Sequence, residues 1–207
     1  CSGEPNLLAR SYHSGASEDL AAAVAHVRAR FPLAPLYAVG YSLGGNVLLK
    51  HLGETGEASG LQGAAAVSVP FRLDQCADRI GLGFSRVYQK HFMREMLAYI
   101  RVKQSRFVKD GRAEGLKTLE ALGSLEKMRT FWDFDGRVTA PLHGFTDAED
   151  YYRRASSRYF LGEIRTPTLI IQGARDALGN RATVAGYTLS SAIELLWLAA
   201  ADHDLKP

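Results

Sequence analysis

The stretch "GYSLG", Gly40–Gly44, sets a serine between two glycines, with the apolar run "PLYAV" before it and the helical pattern "NVLLKHLGETG" soon after. Strand, G-x-S-x-G and helix in that order are the pattern of a nucleophile elbow. The turn is tight enough to throw the serine side chain clear of the sheet. Neighbouring side chains would clash there, so Gly40 and Gly44 are expected to be the residues that make room. Ser42 would be the nucleophile. The N–H of Leu43, at the start of a helix with free donors and a positive dipole end, would help hold the oxyanion of an acyl transfer. The same five letters also fit a glycine turn that merely packs closely. A phosphate-binding loop fits less well, because the Lys-Ser/Thr ending of that motif is absent.

A serine hydroxyl is a poor nucleophile until a base takes its proton, and the base needs an orienting acid. With this elbow the chain order is Ser, Asp/Glu, His. "TLIIQGARDALG" supplies Asp176 in the turn after Ile170 and Ile171. An aspartate in a turn is also common for purely local reasons. Of six histidines, His13, His26, His51, His91, His143 and His203, only His203 lies beyond Asp176. It follows the candidate strand "AIELLWLAA", where the base belongs. His26 and His51 fall on helix faces and read as solvated or packed. His13 and His143 are the second choices, in loops. The expected catalytic set is therefore Ser42, Asp176 and His203, with no metal and no organic cofactor required.

These residues need a scaffold, and the chain alternates strand and helix patterns. "HSGASEDLAAAVAHVRARFP" carries Leu20, Val24 and Val27 at helical spacing, with Ser17 and Glu18 near its start. The run after the elbow should be helical until about Gly53 or Gly56. "PLYAVG", "LQGAAAVSVPF", "TPTLIIQG" and "AIELLWLA" read as four short, near-continuous apolar strands. Such strands divided by helices imply an α/β fold, with a mainly parallel sheet covered on both faces. The span 74–160 breaks the rhythm. It is helical, basic and aromatic, with no convincing core strand, inside what reads as a single domain spanning 1–207; the resemblance given below makes it a helical cap.

Composition narrows the function classes. Hydrophobic residues make up 46% and charged residues 23%, which suits a globular chain. A net charge of +3 is too small to imply nucleic acid. Two cysteines, Cys1 and Cys76, argue against a disulfide scaffold or a cysteine-rich metal site. No apolar run reaches the ~18 residues of a membrane span, and no signal peptide is visible. A cytoplasmic protein, in part membrane-associated, is the expectation. The chain opens at Cys1 without an initiator methionine, which reads as a cut inside a fold.

The stretches "RSYHSG…EDL", "YAVGYSLGGNVLLKHLGE", "AAAVSVPFRLDQCADRI", "FDGRVTAPLHGFTDAEDYYRRASS" and "IRTPTLIIQGARD" together resemble the YheT-like branch of the α/β-hydrolase superfamily. The resemblance runs from Cys1 to about Asp176. It implies an α/β-hydrolase fold with a helical cap, and it puts Ser42, Asp176 and His203 in the roles of nucleophile, acid and base. It also implies activity on carboxylic esters of short- to medium-chain acids or on acylglycerols. The chain departs from the family in two ways. The N-terminal strands, with the loop that donates the other oxyanion N–H, are expected to be missing. "ADHDL" stands where the family has a Gly-Gly-His turn. The alternative is a hydrolase-like binding protein, or an inactive fragment, that keeps the fold without turnover.

The segment "GFSRVYQKHFMREMLAYIRVKQSRFVK", Gly83–Lys109, carries Phe84, Val87, Tyr88, Phe92, Met96, Tyr99 and Ile100 at three- and four-residue steps. A helix would gather them on one face, opposite Arg86, Lys90, Arg94, Arg101, Lys103 and Arg106. Packing on the domain is the plain expectation for that face. The sharper one is an acyl pocket with peripheral contact to anionic lipid.

Overall fold

A computed structural model describes residues 6–83 and 85–206; Cys1 and Phe84 lie outside the described residues. In chain order the elements are α1 (Ser17–Arg30), β1 (Tyr37–Tyr41), α2 (Leu43–Thr55), β2 (Gly63–Val67), α3 (Leu73–Ile80), α4 (Ser85–Lys109), α5 (Ala113–Glu120), α6 (Phe131–Phe134), α7 (Ala140–His143), α8 (Ala148–Ala155), β3 (Thr168–Gly173), α9 (Arg181–Val184) and β4 (Ile193–Leu198). They divide into two compact units. Cys1–His13 with Ala77–Tyr151 forms a helical unit, and Ser14–Cys76 with Tyr152–Pro207 forms a sheet unit.

The sheet unit is built on four parallel strands in the order β1-β2-β3-β4. Val39 stands beside Ala65, Ala65 beside Leu169, and Leu169 beside Glu194. Three of the five residues of β2 are alanine, a poor strand former, and the strand is held by ladders on both sides. Leu48, Leu49 and Leu52 of α2 are buried with Ala66, Val69, Phe71, Leu161, Ile164, Ile170 and Val184. At ~1.5–3 kcal/mol for each large apolar side chain buried, this cluster is what holds α2 against the strands. α2 ends at Gly56, whose φ of 55° and ψ of −120° are a backbone conformation that glycine takes without strain. The other face of β1 is bare: Tyr37, Val39 and Tyr41 are 68%, 60% and 69% exposed.

The helical unit has its own core of Met93, Ile100, Leu125, Met128, Phe134 and Val138. Here the expected apolar stripe on α4 needs correction. Ile100 is buried, but Val87, Tyr88 and Phe92 are exposed. The inward face is Gln89, Met93, Ile100, Lys103 and Phe107. Two of those are polar, so a hydrophobic count could not pick them out. Lys103 is satisfied by donating to the carbonyls of Ala9 (3.2 Å) and Arg10 (3.0 Å) and to Ser11 Oγ (2.9 Å). Burial pulls its pKa down to about 8. Gly115 lets α5 approach Phe107, since a Cβ there would lie 2.5 Å from the ring. A π-helical turn, Asp135–Thr139, joins α6 to α7. Between it and α4 lies a cavity of about 290 Å³, walled mainly by Met96, Tyr99, Ile100, Phe134, Val138 and Leu142.

Candidate active site

Parallel strands place all their carboxyl ends along one edge of a sheet, where ligand sites of open α/β folds sit. Ser42 follows the last residue of β1, Asp176 lies three residues after β3, and His203 lies five after β4. All three belong to the sheet unit. Ser42 occupies φ 47°, ψ −119°, well outside the conformations ordinarily open to a residue with a Cβ. Three backbone bonds impose it. The Ser42 N–H donates to Val67 O (2.8 Å), and Ser42 O accepts from the N–H groups of Gly45 (2.9 Å) and Asn46 (3.2 Å). The strain is local and is held by β2 on one side and α2 on the other.

The glycines do not act as expected. A Cβ on Gly40 would fall 2.5 Å from Gly44 O, so that position needs glycine. A Cβ on Gly44 would meet nothing within 4 Å. The second steric requirement falls instead on Gly45, where a Cβ would sit 2.9 Å from Val69 Cγ2 and 3.1 Å from Gly40 O. The turn is tight because β1 and the first turn of α2 meet backbone to backbone, and only the packed structure shows which glycine is at the contact. Leu43 is the first residue of α2, so its N–H is among those with no partner inside the helix.

Ser42 Oγ lies 3.0 Å from His203 Nε2, and His203 Nδ1 lies 2.9 Å from Asp176 Oδ2. Asp176 is fully buried and the His203 side chain is 31% exposed. A carboxylate can only accept, so the imidazole donates from Nδ1 and turns the lone pair of Nε2 toward the serine. The hydrogen bond to Asp176 raises the His203 pKa from its ordinary 6.5; burial opposes this, and the Asp176 charge adds to it. Asp176 is itself held, with Oδ1 accepting from the Leu178 N–H (2.8 Å) and Oδ2 from Gln172 Nε2 (2.7 Å). Close by, burial and the Asp176 charge push the Cys76 thiol up to about 12, so it stays protonated and is no competing nucleophile. Among the described residues no group of three or more His, Cys, Asp or Glu is arranged to hold a metal ion.

The other histidines stand elsewhere. His51 is buried in α2 with Nε2 3.4 Å from Ser59 O, and His26 is exposed. His13 and His143 face each other in the helical unit, ring centroids 4.6 Å apart, and His143 closes α7 instead of lying in a loop. Two residues escaped the sequence reading. Asn46 is fully buried and ties α2 down through Ser14 O (2.8 Å), Ala155 O (2.9 Å) and the Ser157 N–H (2.8 Å). Gln172 is the other, and its signal was an amide inside an apolar strand, four residues before Asp176.

With this geometry in hand, likeness to known proteins can be weighed. A family profile described as "Alpha/beta hydrolase domain" matches residues 141–207. The Escherichia coli (strain K12) protein named "Putative esterase YheT" is 39% identical over 176 residues, 85% of this chain and 50% of its own length. The chain belongs to the α/β-hydrolase superfamily. A second superfamily relative, the monoacylglycerol lipase of Saccharomyces cerevisiae (strain ATCC 204508 / S288c), is 31% identical over 81% of this chain and 37% of its own. The chain thus spans about half or less of the length of these two relatives. In fold it is similar to the crystal structure of the 2,6-dihydroxy-pseudo-oxynicotine hydrolase, with a TM-score of 0.51 at 16% identity over 92% of this chain and 41% of that one.

Proposed function

We propose that this chain is the part of a serine ester hydrolase that carries nucleophile, base and acid. The observation behind the reading is the continuous hydrogen-bonded line from Ser42 Oγ through His203 to Asp176. In the forward step Ser42 Oγ bonds to the ester carbonyl carbon and its proton passes to His203 Nε2. Asp176 stabilises the imidazolium without taking the proton. The Leu43 N–H supports the oxyanion. Collapse expels the alcohol, which leaves with the proton from His203. Water, deprotonated by the same histidine, then releases the acid and restores Ser42.

The substrates are esters of short- to medium-chain acids, with acylglycerols as the lipid case. The name of the yeast relative, monoacylglycerol lipase, supports that choice. The test is a fluorophosphonate probe followed by a panel of ester, thioester and amide substrates. Covalent labelling that vanishes in Ser42→Ala, with turnover greatest on esters, is expected. A folded protein that takes no label would instead be a hydrolase-like binding protein.

A further inference from the structure

We infer that Gln172 is a positioning residue which, through Asp176, sets the basicity of His203. The inference rests on the catalytic reading of Ser42, His203 and Asp176 given above. Gln172 is fully buried in β3. Its Oε1 accepts the Val69 N–H at 2.8 Å. Val69 N can only donate, so the amide has one orientation and its NH₂ must point the other way. That NH₂ lies 2.7 Å from Asp176 Oδ2, the oxygen that also receives His203 Nδ1, and 3.5 Å from Val69 O. Gly179 closes the space on its far side, where a Cβ would lie 3.0 Å from Gln172 Nε2.

The consequence is electrostatic. Gln172 presents a neutral donor, and a donor favours the ionised carboxylate. It cannot turn to accept from a protonated Asp176 without leaving the Val69 N–H buried and unpaired. By sharing the charge on Oδ2 it also weakens the hold of that oxygen on the His203 imidazolium. Gln172 therefore tempers the rise in the histidine's pKa. It further links the segment after β2, where Ser68 sits at φ 52°, to the acid after β3. The carboxylate is thus referenced to the strand beside the one it follows.

The experiment uses Gln172→Met, close in volume but without a donor, and Gln172→Asn, which keeps the amide but is one methylene too short. His203 is followed by imidazole NMR across pH in the whole chain, alongside kcat/KM. Both variants should move the His203 titration, and with it the acid limb of kcat/KM, to higher pH by a few tenths to one unit. kcat should fall about 10–100-fold with KM little changed, the size expected for a small misplacement of a catalytic group. A folded variant whose His203 titration stays put or moves down overturns the inference, because a filler of core space would leave that titration alone. If fluorophosphonate fails to label Ser42 in the wild type, the hydrolase reading fails, yet the NMR shift still decides whether Gln172 tunes His203. If Gln172→Met does not fold, Gln172→Asn carries the same test.

Discussion

Asp176 is sealed from solvent while His203 is partly open to it, and that asymmetry suits the acid and base roles proposed for them. The acid stays fixed and the histidine can exchange protons with substrate and water. Replacing His203 with alanine should lower ester hydrolysis ~10⁴–10⁶-fold, since such residues act as a unit, and should leave the circular dichroism spectrum intact. An active His203→Ala beside an inactive His13→Ala or His143→Ala would move the base elsewhere. The base must be neutral to act and its pKa is raised, so the acid limb of kcat/KM should lie above 6.5. The same shift bears on stability. Its contribution is complete below about 6.5 and is lost as pH rises through the raised value. The elbow gives a second expectation at this scale. Gly40→Ala forces backbone apart and should destabilise by ~1–3 kcal/mol in urea unfolding, whereas Gly44→Ala should cost nothing. Equal losses at both would show that the turn relaxes.

At the scale of elements, α4 is the one whose exterior departs most from a solvated helix. Val87, Tyr88, Phe92 and Val102 are exposed beside Arg86, Lys90, Arg94 and Arg101. Apolar and cationic side chains on one helix surface suit an anionic lipid interface. Co-sedimentation with vesicles containing anionic lipid should be seen at low salt. It should weaken as salt rises and be largely lost in Arg94→Glu/Arg101→Glu. Absence of binding at low salt would leave the helix a purely structural part of its unit. The cavity beside α4 should accept a medium-length hydrocarbon chain. Decanoate binding that falls at least tenfold in Leu142→Trp, in calorimetry, is the expected sign.

At the scale of the molecule, one face of the first strand stands open to solvent. Parallel sheets are ordinarily covered on both faces, yet Tyr37, Val39 and Tyr41 of β1 are largely exposed, and among the described residues β1 has a ladder partner on one side only. The matches cover 50% and 37% of the lengths of the relatives described above.

How much of this was legible beforehand follows from the range of the interactions involved. The four strands and α1 and α2 were readable because apolar runs, periodicity and glycine stops are local signals. That Ser42, Asp176 and His203 each follow a strand was readable too, and parallel strands share one edge. What the sequence determined by itself was therefore the α/β pattern, the elbow and the candidates for each role. The 3.0 and 2.9 Å contacts that line up Ser42, His203 and Asp176 join residues 161 and 27 positions apart, and no local rule sets such distances. The buried face of α4 departs from the apolar stripe because Gln89 and Lys103, which hydropathy scores as exposed, go inside, Lys103 with oxygen partners. Gly45 rather than Gly44 bears the steric load because Val69, from the turn after β2, packs over it. Gln172 gained its place because Val69 and Asp176, far apart in the chain, both needed what one buried amide could offer. Tertiary structure decided these points, because each depends on which distant groups compete for the same few ångströms of space.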